Sequence, residues 1–521
     1  MKKLIVVLLG LILTMGVGAQ KSKSSEENLR KLFMAETAIT NLYVDSVDEK
    51  KLVEDAIIGM LKKLDPHSTY TNAEETRKMN EPLEGNFEGI GIQFNILEDT
   101  LVVIQPVTKG PSEKVGIMAG DRILSCNDTL LSGVKRDRMD IMKRLRGPKD
   151  SKVKLVIARR GVNEPLVFYV TRDKIPVYSL DAKYMIEPHI GYIRIGNFGA
   201  TTYQETFKAL ADLKKQGMKD LILDLQDNGG GYLNAAIDIA NEFLEQGDRV
   251  VYTEGRMIKH TEYCAKGGGS FRKGKLIVLV NEFTASASEI VAGAIQDQDR
   301  GMVVGRRSFG KGLVQRPIAL LDGSLIRLTV SHYYTPSGRC IQKPYVKGQE
   351  DEYEKDVYNR LKNGELTHVD SIHFADSLKY TTLRKQRIVY GGGGIMPDYF
   401  VPLDTMKYTK FYRNLRMKNV ITTTSMKYID QNRENLKKQY KNANDFIAQY
   451  KVPQKEIDLL IAEGKAAKVE PKDDAELQKS LPNLRLVLKA LTARDLWDIS
   501  EYFQVINTDD AVIKKTLELL H

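Results

Sequence analysis

The feature that most constrains this chain is a change of hydrophobic grammar made twice along its length. Over residues 85–174, short β-rich runs such as Gly89-Ile90-Gly91-Ile92-Gln93-Phe94 are separated by Gly and Pro. Over 175–342, apolar runs at 190–195, 221–225, 275–280 and 302–304 alternate with helix-period stretches at 203–216, 233–244 and 285–296. Strands and helices in alternation bury their apolar faces together when helices cover a sheet, so this stretch predicts an α/β core. The stretch before it predicts a small β-rich module inserted ahead of that core. Leu29, Leu32, Phe33, Ile39 and Leu42 recur at helical spacing, and so do apolar residues throughout the Lys-, Leu-, Ala- and Gln-rich tail. The expected organisation is a leader over 1–19, a helical region over 24–84, the β-rich module over 85–174, the core over 175–404 and a separate helical region over 405–521. Residues 343–387 interrupt the core as a charged, locally helical surface insertion, and Pro471-Lys472-Asp473-Asp474 reads as a hinge in the tail.

Composition narrows the function classes. With 42% hydrophobic and 28% charged residues, the 521-residue chain has the make-up of a folded, multi-domain protein. Its net charge of +10 is spread over 78 basic and 68 acidic residues, without a Lys/Arg block interleaved with aromatics, which argues against a nucleic-acid partner. Seven histidines form no HExxH pair, and Cys126, Cys264 and Cys340 show no CxxC spacing, so neither a metal nor a cofactor is expected and the cysteines read as structural. Lys2 and Lys3 precede an apolar run over 4–13, and Val17-Gly18-Ala19 offers small residues for cleavage after Ala19. That pattern predicts a signal peptide and export to the periplasm or cell envelope of a bacterium, with an uncleaved anchor as the alternative. Membrane association is expected to be peripheral or absent.

Three segments of the core could carry chemistry. Asn281-Glu282-Phe283-Thr284-Ala285-Ser286-Ala287-Ser288-Glu289 sits where a strand turns into a helix, a place where backbone N–H groups and the positive helix end converge on an oxyanion. Taken alone, its Thr and Ser residues read more readily as helix caps. Gly305-Arg306-Arg307-Ser308-Phe309-Gly310-Lys311-Gly312 nearly matches the phosphate loop GxxxxGK[ST] of nucleotide hydrolases but ends in Gly312, which has no hydroxyl for magnesium. A lysine there would serve as a general base once desolvated, and otherwise as an exposed turn residue. Asp224-Leu225-Gln226-Asp227-Asn228-Gly229-Gly230-Gly231 is a glycine turn at another strand end, able to present N–H groups. In the β-rich module, Gly89, Ile90, Gly91 and Ile92 open a strand whose edge could take a peptide tail as an added strand.

In chain order, these segments join Leu64-Asp65-Pro66-His67-Ser68-Thr69-Tyr70, Leu145-Arg146-Gly147-Pro148, Gly191-Tyr192-Ile193-Arg194-Ile195, Tyr334-Thr335-Pro336-Ser337-Gly338-Arg339 and Gly394-Ile395-Met396-Pro397-Asp398. Together they resemble the C-terminal processing peptidases, or tail-specific proteases, over residues 28–403. The resemblance implies a ClpP/crotonase-like peptidase core with an inserted PDZ domain, a nucleophile at Ser286 and a lysine base at Lys311. It further implies that Gln315 orients or activates that lysine, and that the oxyanion is held by Ala287 and the Gly230/Gly231 turn. Ser288 is the competing serine. Two departures stand out: the family's D-L-R-x-N-P-G-G has Gln226 in place of its arginine and Gly229 in place of its proline. Expected substrates are proteins or peptides with free, apolar C-termini, and the helical ends suggest a homo-oligomer. A catalytically silent PDZ adaptor of the cell envelope is the alternative, which intact Ser286, Lys311 and Gln315 disfavour.

Overall fold

The computed structural model describes residues 23–521, so the leader predicted over 1–19 lies outside the described residues. A six-stranded sheet forms the centre of the core, in the order Leu180–Glu187, Ile190–Ile195, Asp220–Asp224, Leu276–Val280, Met302–Gly305, Tyr399–Phe400. The first pair runs antiparallel and the rest parallel. Leu276–Val280 is apolar and buried at every position, as a parallel strand covered on both faces must be.

Helices Thr202–Lys215, Leu233–Asn241 and Ala287–Asp297 cover one face, where Leu210, Ala236 and Val291 pack against Ile193, Leu223 and Val278. The other face is covered from the far end of the chain. Val512, Ile513 and Leu520 of the terminal helix Ala511–Leu520 pack on Tyr192, Ile222, Ile277 and Val304. The tail expected to be separate therefore completes the core, because a parallel sheet needs a second apolar layer and the insertion does not supply one. The preceding tail helices build their own cluster around Leu415, Phe446, Leu460 and Leu488. Residues on both sides of the expected 471–474 hinge, Leu460 and Leu484 among them, share that cluster, so the segment is a turn between packed helices.

A second sheet brings the ends of the site together. The hairpin Leu313–Ala319/Leu325–Tyr334 follows directly on Lys311, and strand Thr69–Thr71 adds to it antiparallel, pairing Thr69 with Arg327. This pairing delivers the Asp65-Pro66-His67-Ser68 turn to the lysine loop from far away in sequence. The insertion is more than surface: Lys343, Tyr353 and Arg360 are buried, and Arg360 donates to the carbonyls of Ser308 (2.8 Å) and Phe309 (3.1 Å).

The β-rich module is one sheet in the order Ile92–Leu97, Thr100–Pro106, Arg122–Cys126, Lys152–Ala158, Leu166–Thr171, with Ile92–Leu97 at its edge. Strands Asn86–Gly89 and Asp173–Pro176 pair to form its stalk. Its far side rests on the tail helix Val420–Gln439, where Asp430 is clamped between Arg122 (2.7 Å) and Arg160 (3.0 Å). No described helix is long and apolar enough to cross a membrane.

Candidate active site

Strands Leu276–Val280 and Met302–Gly305 are parallel neighbours, so the loops after them open at the same edge of the sheet. Ser286 follows the first and Lys311 the second. Ser286 has φ 57° and ψ −116°, outside the regions a side chain ordinarily adopts, at an estimated cost of about 1–3 kcal/mol. That turn leaves Ser286 half-exposed at the start of the helix Ala287–Asp297, where it and Glu289 form a capping box. The neighbouring Ser288 is fully buried and donates to the Asn228 carbonyl (3.0 Å), which leaves it no access to a substrate.

One residue joins the two loops. Glu289, fully buried, accepts the backbone N–H groups of Ser286 (2.8 Å) and Lys311 (2.9 Å) on Oε2, and the Ser308 hydroxyl (2.5 Å) and Gly310 N–H (2.7 Å) on Oε1. The backbones of Ser286 and Lys311 are thus held within two hydrogen-bond lengths of each other. Burial pushes the Glu289 carboxyl up, against the pull of those donors. In sequence it reads as an ordinary acid in a helix first turn, and only the tertiary arrangement gives it four donors.

Lys311 is half-buried and its amine forms no ion pair among the described residues. Burial holds the ammonium below the usual lysine range, the Arg327 charge lowers it further, and Glu289 and Asp65 act in the opposite direction. The side chains of Ser286 and Lys311 are not hydrogen-bonded to each other in this conformation. Gln315 does not reach the lysine either: its amide donates to Thr329 Oγ1 (3.3 Å), which donates to Asp65 Oδ1 (2.9 Å).

The glycine turn packs directly on the serine. A Cβ on Gly230 (φ +100°) would lie 2.8 Å from Ser286 Cβ and 2.9 Å from Ala287 N, so no larger residue fits. The expected oxyanion donors need one correction, because the Gly230 N–H is already bonded to Asn228 Oδ1 (2.8 Å). The N–H groups of Ala287 and Gly231 have no acceptor among the described residues. Asn228 also donates to the Ile195 carbonyl (2.8 Å) and fixes the turn, a role its place in a glycine-rich run conceals.

The turn at Gln226 is held from the next strand. Arg194 Nη1 donates to Asp224 Oδ2 (2.7 Å), and its Nη2 donates to the Gln226 carbonyl (2.7 Å) and to Asp227 (3.1 Å). Phe503 of the tail lies under the guanidinium at 4.5 Å. Strand register sets this contact, since Arg194 and Asp224 are paired neighbours.

In the β-rich module, Ile90, Gly91 and Ile92 line a cavity of about 260 Å³ with Phe94, Met142 and Leu145. It lies between the open strand edge and helix Arg138–Leu145. Gly89 is at its rim, bridged to Arg146, which is ion-paired with Glu81. Of the groove residues on the helix, Leu145 falls in a motif quoted from the sequence, whereas Arg138 and Met142 do not. Among the described residues, no group of His, Cys, Asp and Glu side chains could hold a metal ion.

Comparison with known proteins agrees with this architecture. Residues 189–351 match peptidase family S41, 89–166 a PDZ domain, 14–76 the activating protease CtpB N-terminal domain and 411–498 a family of unknown function. The carboxy-terminal-processing protease of Bartonella bacilliformis is 39% identical over 305 residues, covering 58% of this chain and 69% of that protein. The carboxy-terminal processing protease CtpA of Bacillus subtilis is 34% identical over 347 residues, 66% of this chain and 73% of that protein. Among solved structures, the photosystem II D1 C-terminal processing protease is 30% identical and matches 60% of this chain and 89% of its own, with a TM-score of 0.34. The fold and these relatives define a PDZ-bearing serine peptidase. The chain belongs to the carboxy-terminal processing proteases of peptidase family S41.

Proposed function

We propose that this protease cleaves peptide bonds through an acyl-enzyme formed on Ser286, with Lys311 as the base. Lys311 takes the Ser286 hydroxyl proton as Oγ attacks the scissile carbonyl, and the oxyanion is met by the N–H groups of Ala287 and Gly231. The ammonium then gives its proton to the departing amine. Water attacks the resulting ester, loses its proton to Lys311, and releases the new C-terminus as Ser286 recovers its own. Gln315 acts from Thr329 until substrate draws its amide toward the lysine.

The observation that carries this reading is the shared carboxylate of Glu289, which ties the serine loop to the loop of a desolvated, unpaired lysine. A structural lysine is ordinarily paired or in water; one held unpaired in a half-buried cleft is kept for proton transfer. The parallel sheet with helices rising from its strand ends supports a ClpP/crotonase-like reading of the core. The leader pattern supports export to the periplasm or cell envelope.

The natural substrates are proteins whose free, apolar C-termini add to the Ile92–Leu97 edge with the last side chain in the groove over Leu145. Incubating the protein with an unstructured peptide of that kind should give products visible by mass spectrometry, and Ser286→Ala and Lys311→Ala should each remove them, a loss of at least about 10⁴-fold. Near-normal turnover in Lys311→Ala would refute the base assignment. Amidating the peptide's C-terminus should weaken its use about tenfold, the worth of one charge-assisted contact; indifference would refute tail capture in this groove.

A further inference from the structure

The Asp65-Pro66-His67-Ser68 turn and the insertion meet beside the lysine. His67 Nε2 lies 2.8 Å from the Tyr353 hydroxyl, with the two rings edge to face. That hydroxyl also accepts from Gln342 Nε2 (3.2 Å), and Gln342 Oε1 accepts the N–H of Gly312, the residue after Lys311 (2.9 Å). With Gln342 donating to the phenol, the phenol's own proton is free for His67, and a neutral imidazole is the matching partner. On the other flank, Asp65 accepts from Ser68 and from Thr329, which carries Gln315. Lys343 stacks over the rings of Phe309 and Tyr353, both at 3.9 Å, and its N–H bonds the Gly310 carbonyl. Both segments therefore grip the loop that bears the base.

The charges facing Lys311 are Arg327 from the hairpin, Glu289 from the helix and Asp65 from the N-terminal turn, while Lys343 from the insertion acts on His67. Burial, and then the Lys311 charge, push His67 down to about 4, so it adds no positive charge near neutral pH.

We propose that His67 and Tyr353 are positioning residues for the base, forming one hydrogen-bonded wall that keeps water from the Lys311 amine. On this view, the N-terminal turn and the insertion are working parts of the active centre. The inference rests on Lys311 being the base. A catalytic lysine works as its neutral amine, so activity falls as pH drops through its pKa, and hydrating the amine raises that pKa.

The test is kcat/KM against pH on the unstructured peptide. For His67→Ala and Tyr353→Ala, the acid limb should move to higher pH, by about one unit for His67→Ala. His67→Phe, which restores the ring without the hydrogen bond, should return the limb toward wild type. Acetylation of Lys311 against pH, followed by mass spectrometry, reads the same midpoint without turnover and should shift alike. A uniform loss of activity with the limb and the acetylation midpoint unmoved would overturn the wall. Persistent activity in Lys311→Ala would instead overturn the base.

Discussion

Two buried glutamates in this chain have been treated in opposite ways. Glu289 in the core meets four donors from two loops; Glu456 in the tail, equally inaccessible, meets among the described residues only the Tyr450 hydroxyl at 2.9 Å, and its Oε1 has no partner there. Burial pushes both carboxyls up, and pushes Glu456 up to about 7. The difference teaches where the chain tolerates charge in its interior. At Glu289 the carboxylate is a staple whose removal strands several donors, whereas at Glu456 the charge is a burden to the helical tail.

The same substitution should therefore have opposite effects at the two positions. Glu289→Gln puts an amide NH2 against backbone N–H groups or the Ser308 hydroxyl, so kcat/KM should fall by about 10²–10³, the scale of one or two lost charge-assisted bonds, in a protein that still folds. Retained activity would show that the staple is dispensable and that Ser286 and Lys311 are aligned by the strands alone.

Glu456→Gln should stabilise. The Glu456 pKa is raised in the folded state, so its contribution is fully present below about 4.5 and is lost as pH rises through about 7. The amide should accordingly raise stability by about 3 kcal/mol at pH 8 and leave it unchanged at pH 4, read by denaturant unfolding at both values. Destabilisation at pH 8 would mean that the carboxylate has a partner in solution and that the contrast with Glu289 is false.

How far the sequence could be read follows the same division between local and distant. Strand Ile190–Ile195 and its parallel neighbours were legible because apolar runs alternate with helix-period stretches, and Ser286 and Lys311 because each ends such a run. Residues acting across the fold were not legible. Arg194 reaches the Gln226 turn through strand register, Tyr353 reaches His67 across 286 positions, and the last helix covers a sheet that begins near Leu180. No periodicity or motif spacing encodes such contacts. Glu289, by contrast, lay inside a recognised segment and was hidden by resembling a common helix-terminal acid.

The most direct test of the account is covalent. A fluorophosphonate, which phosphonylates an activated serine hydroxyl with loss of fluoride, should label Ser286 alone, as read by peptide mass spectrometry, and Lys311→Ala should abolish the label. Label on Ser288, or undiminished label on Ser286 in Lys311→Ala, would contradict it.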